Sequence, residues 1–191
     1  MWKSVGWTAV TIFGLAAVIG ITGAQDEAKE TGQAAKMHSY IGADGCKICH
    51  KTEKSGDQYG KWAAGPHAQA FTVLGTEKAM EVAKKAGVTG NPQEAAECLQ
   101  CHVTAHGVPA EQLGPKFAKE EGVGCEACHG PGSDYKSKKV MEDREAAVAA
   151  GMLVPSEKTC LNCHNEKNPT HTGFDFKTAF AEIAHPTPES E

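Results

Sequence analysis

The chain has 191 residues, a formal net charge of −5, 8 Cys and 9 His, yet only 6% aromatic residues and a mean hydropathy of −0.39. That length suits one domain with at most an appendage, and the acidic balance argues against a nucleic-acid partner, which needs a basic footprint. So little apolar surface makes a thin core, and something other than side chains must supplement it.

In chain order, Met1-Trp2-Lys3 precedes an apolar run from Val5 to about Ile21 and then Thr22-Gly23-Ala24. This charged, apolar, small-residue order predicts a secretory signal peptide over residues 1–24, so the body works in the periplasm or another extracytoplasmic space. The run is long for a signal peptide and Thr22 is an imperfect small residue, which leaves an uncleaved membrane anchor open. Residues 25–39, QDEAKETGQAAKMHS, are polar without a strong period and predict a flexible spacer. Residues 40–191 form the functional domain.

That domain begins with Cys46-Lys-Ile-Cys49-His50, and the same C-x-x-C-H spacing returns three times. The copies are Cys98-Leu-Gln-Cys101-His102, Cys125-Glu-Ala-Cys128-His129 and Cys160-Leu-Asn-Cys163-His164, which use every cysteine in the chain. Two thiols three residues apart can add to the two vinyl groups on one porphyrin edge. The next imidazole then lies under the iron as an axial ligand. A disulfide framework gives no reason for a histidine after each pair, and a zinc ribbon equally ignores it. A thioredoxin-like pair would occur once. The motifs therefore predict four covalently bound haem c groups, with His50, His102, His129 and His164 as proximal iron ligands.

Between and after the motifs the helix signals are short. Gly65-Pro66 opens, and Gly75 closes, a segment whose first turn carries His67 and whose apolar side is Ala68, Ala70, Phe71 and Leu74. A second helix runs from Thr76-Glu77 to Ala86, a third starts at Asn91-Pro92 and enters Cys98, and a fourth spans about Val140 to Ala150. In FDFKTAFAEIA, Phe176, Phe180 and Ile183 have helical spacing, and Pro186 stops the helix just after His185. Strand signals are weak, so the expected fold is mainly α: short helices and long loops wrapped around four haems. Gly124, Gly130 and Gly132 would let backbone lie close against a porphyrin.

Five histidines outside the motifs are candidates for the remaining axial positions. His67 and His185 are placed to point into the interior from helix ends. His106 follows His102 by four residues, so it shares a face with it and could reach only a neighbouring haem. His38 lies in the spacer and His171 in the loop NPTHTG. Met141 is a sulfur candidate, though a helical methionine more often fills packing gaps.

From about Tyr40 to Pro186 the ordered segments CKICHK, WAAGPHAQAF, CLQCHVTAHG, GVGCEACHGPGSDY, CLNCHN and FDF with a late His185 resemble the tetrahaem cytochrome c-554 family. The resemblance implies a mainly helical, periplasmic electron-transfer protein with closely packed haems, most bis-histidine and one with an open axial position. It also implies distal roles for His67 and His185, at the third and first haems respectively. Two departures stand out. Where the family has a further ligand histidine after its third motif, this chain reads SDYKSKKVMED, which leaves the fourth haem with His38, His106, His171, Met141 or nothing. His106 itself stands where the family has an aromatic residue.

Bis-histidine ligation lowers reduction potential relative to Met/His, which suits low-potential electron transfer between redox-protein partners. Two alternatives stay open: a reductase of a small nitrogen compound at a five-coordinate haem, and a subunit of an extracellular haem filament. Without Lys3 and with about −1 for each oxidised haem, the mature protein reaches about −10, so basic patches on partner proteins are the expected docking surfaces. The run Lys136, Lys138, Lys139 is the local exception.

Overall fold

The computed structural model describes residues 37–185; the leader and residues 25–36 of the spacer lie outside the described residues. Ten helices follow in order: α1 Ala43–His50, α2 Gln58–Ala64, α3 Ala70–Val73, α4 Glu77–Lys85, α5 Ala96–His102, α6 Cys125–His129, α7 Lys138–Met141, α8 Arg144–Ala149, α9 Glu157–Leu161 and α10 Phe176–Ile183. Among the described residues no strand forms; one parallel bridge joins Tyr40 to Leu113. The mainly α architecture expected from the sequence is the one observed.

Local chemistry explains most boundaries. Thr76 caps α4 by accepting the Ala79 N–H at 3.2 Å, and Asp175 caps α10 through the Thr178 N–H at 2.8 Å. Each such cap stabilises its helix by about 1 kcal/mol. Two expected helices differ. Asn91 holds a turn instead of a helix start, its carbonyl accepting from Glu94 and Ala95 and its side chain from Gln93, so α5 begins only at Ala96. The segment from Val140 to Ala150 breaks at Asp143, whose carboxylate caps α8 through the Ala146 N–H at 3.0 Å. An aspartate competes with the helical backbone for hydrogen bonds and prefers that terminal position.

The apolar core is small. Phe71 and Leu74 pack against Leu99 and Val103, joining the α3 segment to α5, with Cys98 against the cluster. Meanwhile Ile48, Leu153, Val154, Leu161 and Phe180 are exposed, and Ile48 is 75% so. These side chains lie in or beside the motifs or on α10, where an apolar macrocycle would cover them.

The stretch from Gly122 to Gly124 leads into α6 and is gripped from three sides. Trp62 Nε1 donates to the Val123 carbonyl at 2.8 Å, and Val123 N–H donates to the His67 carbonyl at 3.0 Å. Thr104, 7% exposed, accepts the Gly124 N–H at 2.7 Å and donates to the Gly122 carbonyl at 3.1 Å. Gly122 has a positive φ of 71°, and a Cβ there would lie 2.7 Å from the His67 carbonyl oxygen. Only glycine fits. Gly122 thus serves a close approach of the chain to itself. Gly132 is the second case: a Cβ there would meet the Glu126 carboxylate and the Ile41 side chain at 3.1 Å.

Candidate haem site

Helical geometry sets up each motif. The first three occupy α1, α5 and α6, where cysteines at i and i+3 share a face; the fourth starts on α9 and turns out of it before Cys163. None of the eight cysteines pairs in a disulfide. Among the described residues no three Cys, His, Asp or Glu side chains converge as a metal-ion cage.

Thiols from different motifs lie side by side. Cys46 and Cys125 are hydrogen-bond partners, an interaction that pushes the free Cys46 thiol up and the Cys125 thiol down. Burial and then Cys101, which also hydrogen-bonds it, push Cys163 up to about 12. Burial raises Cys128 as well, with Cys160 as its next influence. Thiol contacts therefore join the first motif to the third and the fourth to the second, and Cys160 lies within electrostatic reach of Cys128.

The motif imidazoles are oriented by their other ring nitrogen. His102 Nδ1 donates to the Ala70 carbonyl at 2.6 Å and His129 Nδ1 to the Leu153 carbonyl at 3.2 Å. His50 Nδ1 donates to Gln58 Oε1 at 3.3 Å, while the Gln58 amide nitrogen is turned to the Ser55 carbonyl. A proton fixed on Nδ1 leaves the Nε2 lone pair for a metal, the usual arrangement of a histidine ligand. His164 instead stacks on Phe174, ring centres 4.8 Å apart and planes 19° from parallel.

Two further histidines face motif imidazoles. His67 lies opposite His164 with ring centres 6.0 Å apart and planes crossed at 72°. His185 lies opposite His129 at 6.3 Å and 68°, its Nδ1 donating to the Ile183 carbonyl at 2.8 Å. Two metal–imidazole bonds of about 2.0 Å each, plus the two half-rings, fill such a gap. Burial holds His67, His129 and His164 below the usual histidine range, which keeps them neutral and able to bind metal. The residues fit haem.

These pairings differ from the ones the family resemblance implied. His67 stands at the fourth motif rather than the third, and His185 at the third rather than the first. The motif helix α6 and the loop after α9 are brought together by the tertiary path, which the order of motifs does not encode. Among the described residues no second imidazole faces His50 or His102.

The other candidates stand elsewhere. His38 Nδ1 meets Asp134 Oδ2 at 2.7 Å and its ring packs against Gly151. His106 is exposed beyond α5, on the rim of a 280 Å³ cavity that Cys101 and Cys163 also line. His171 is half-buried and close enough to His164 to lower it, after burial. Met141 closes α7, half-buried.

Sequence reasoning passed over Glu126. It is 3% exposed, and its carboxylate accepts the N–H groups of Ile41 at 2.8 and 3.0 Å, Gly42 at 2.8 Å and Gly132 at 2.6 Å. A signal existed: among the residues between paired cysteines it alone is acidic.

Comparison with known proteins places these features. The family described as "Cytochrome c554 and c-prime" matches residues 45–130. Cytochrome c-554 of Nitrosomonas europaea is 28% identical over 167 residues, covering 78% of this chain and 66% of that protein, so the chain spans just under two thirds of that relative's length. The solved reduced state of cytochrome c554 from the same organism matches with a TM-score of 0.51 at 26% identity, covering 77% of this chain and 79% of that one.

Proposed function

We propose that this chain, a c-type cytochrome of the c-554 family, is an electron carrier that shuttles electrons between redox partners outside the cytoplasm. Haem c, bound at the four motifs, supplies a reversible one-electron iron couple at each. The residues' part is attachment, orientation and spacing. Each cysteine pair holds one macrocycle edge, and Nδ1–H donation by His50, His102 and His129 aims Nε2 at the iron. His185 and His67 would offer a second imidazole nitrogen to the irons held at the third and fourth motifs, which suits transfer without substrate binding.

The observation that carries this reading is the adjacency of attachment points from first through third and fourth to second. Neighbouring thioethers keep neighbouring macrocycles close, which is what a continuous path across so short a chain needs. Reductive titration with rapid mixing tests it. Four haems per chain by pyridine haemochrome, all reaching a common redox equilibrium faster than a partner protein reoxidises them, support the carrier. A haem count below four, or one haem kinetically isolated from the rest, overturns it.

A second reading has its own observation. His50 and His102 have no imidazole opposite them among the described residues, so their irons would admit an exogenous ligand, which a reductase of nitrite, hydroxylamine or nitric oxide requires. Steady turnover of one of these by the reduced protein would favour the reductase; unchanged substrate over many protein equivalents favours the carrier.

A further inference from the structure

Glu126 is an internal carboxylate with only donors around it. Four hydrogen bonds from three backbone N–H groups reach its two oxygens, and none of these partners can accept a proton from it. The set suits a carboxylate and gives a carboxylic acid no acceptor. Among the described residues no Lys or Arg pairs with it, so its charge is offset only by backbone dipoles, chiefly those at the start of α1.

Its position is specific. Ile41 and Gly42 lead directly into α1, which carries the first motif, while Glu126 itself stands between the two cysteines of the third. Its field acts on Cys46 and Cys125, the thiols of those two motifs, and on Tyr40 and Tyr135. A second carboxylate, Glu121, joins the same side by accepting the Ala43 N–H at 2.8 Å. Glu126 is not among the groups that shift Cys160 or Cys163, although it lines one cavity with Cys101 and Cys163.

We propose that Glu126 is a fixed anion that lowers the reduction potentials of the first and third haems below those they would have without it, and that this gives the electron path a direction. The inference rests on the reading of four covalently held haems. A buried negative charge stabilises ferric over ferrous iron, and low local dielectric keeps the effect large. With the same pair of imidazoles at the third and fourth haems, the step from the third to the fourth then runs downhill.

Two variants separate charge from packing. In Glu126→Gln the potentials of two of the four haems should rise by at least 59 mV, a tenfold change in the reduced-to-oxidised ratio of a one-electron couple. Glu126→Asp, which keeps the charge, should leave them within a fraction of that. The readout is a redox titration followed by optical and low-temperature EPR spectra, with four haems confirmed by pyridine haemochrome. Equal shifts at all four haems, no shift, or the same shift in both variants would overturn the proposal.

Should Glu126→Gln yield no holoprotein, the wild-type potentials still decide, assigned with the help of one ligand variant. The third and fourth haems have the same pair of axial imidazoles, so their difference reports surroundings. His185→Ala removes the low-spin signal of the third and so identifies its potential. That potential must lie below the fourth's; a value equal or higher sinks the idea. A protein without four haems would instead fail the carrier reading itself, and the haem count tells the two failures apart.

Discussion

His67 and His164 face each other with ring centres 6.0 Å apart and planes crossed at 72°, although they come from opposite ends of the domain. His67 is carried by the turn before α3, and its carbonyl is simultaneously held by the Val123 N–H at 3.0 Å. The same residue therefore grips the third motif's approach with its backbone and serves the fourth motif with its ring.

Replacing His67 with Ala should convert one low-spin ferric haem to high spin, read by EPR as the loss of one low-spin component. His67→Met should keep that iron six-coordinate and raise its potential by more than one tenfold step, about 59 mV, because thioether ligation favours ferrous iron. With both imidazole pairs crossed near a right angle, the low-spin signals should be strongly anisotropic rather than rhombic. An unchanged set of four signals in His67→Ala would show that His67 binds no iron.

Two irons should accept cyanide in the ferric protein and two should not, since among the described residues only His129 and His164 face a second imidazole. Titration followed by the Soret band and EPR should therefore end at two cyanides per chain. Uptake at four irons would remove His67 and His185 as ligands, and uptake at none would mean that the first and second haems have ligands other than these imidazoles.

Gly122→Ala should destabilise the protein by about 1–3 kcal/mol, lowering Tm by several degrees, because the new Cβ meets a backbone carbonyl in a left-handed conformation. Gly173→Ala is the control: it too has positive φ, but nothing lies within 4 Å of its Cβ. Differential scanning of the two holoproteins should show the larger loss at Gly122. Equal losses would assign the cost to φ alone and none to the contact with His67.

An acidic carrier should associate with its redox partners more slowly as ionic strength rises, since screening weakens attraction to a basic patch. Stopped-flow reduction or oxidation across a salt series measures this directly. Rates independent of salt, or rising with it, would contradict docking driven by the chain's negative charge.

What the sequence determined by itself is the chemistry that fits within one helical turn. A C-x-x-C-H run brings two thiols and an imidazole together through local backbone geometry, so the four candidate attachment points and proximal ligands could be proposed from sequence directly. The start at Thr76 was legible for the same reason: its capping partner is three residues away. Tertiary structure alone decided which outlying histidine faces which motif. His67 meets His164, and His185 meets His129, through the path of loops that no local signal specifies, and analogy with the family's motif order pointed to other pairs. The role of Glu126 was hidden likewise, because its meaning lies in the N–H groups of Ile41, Gly42 and Gly132 that folding delivers to it. Covalent attachment is local, whereas axial pairing and buried charge depend on segments distant in the chain arriving at the same place.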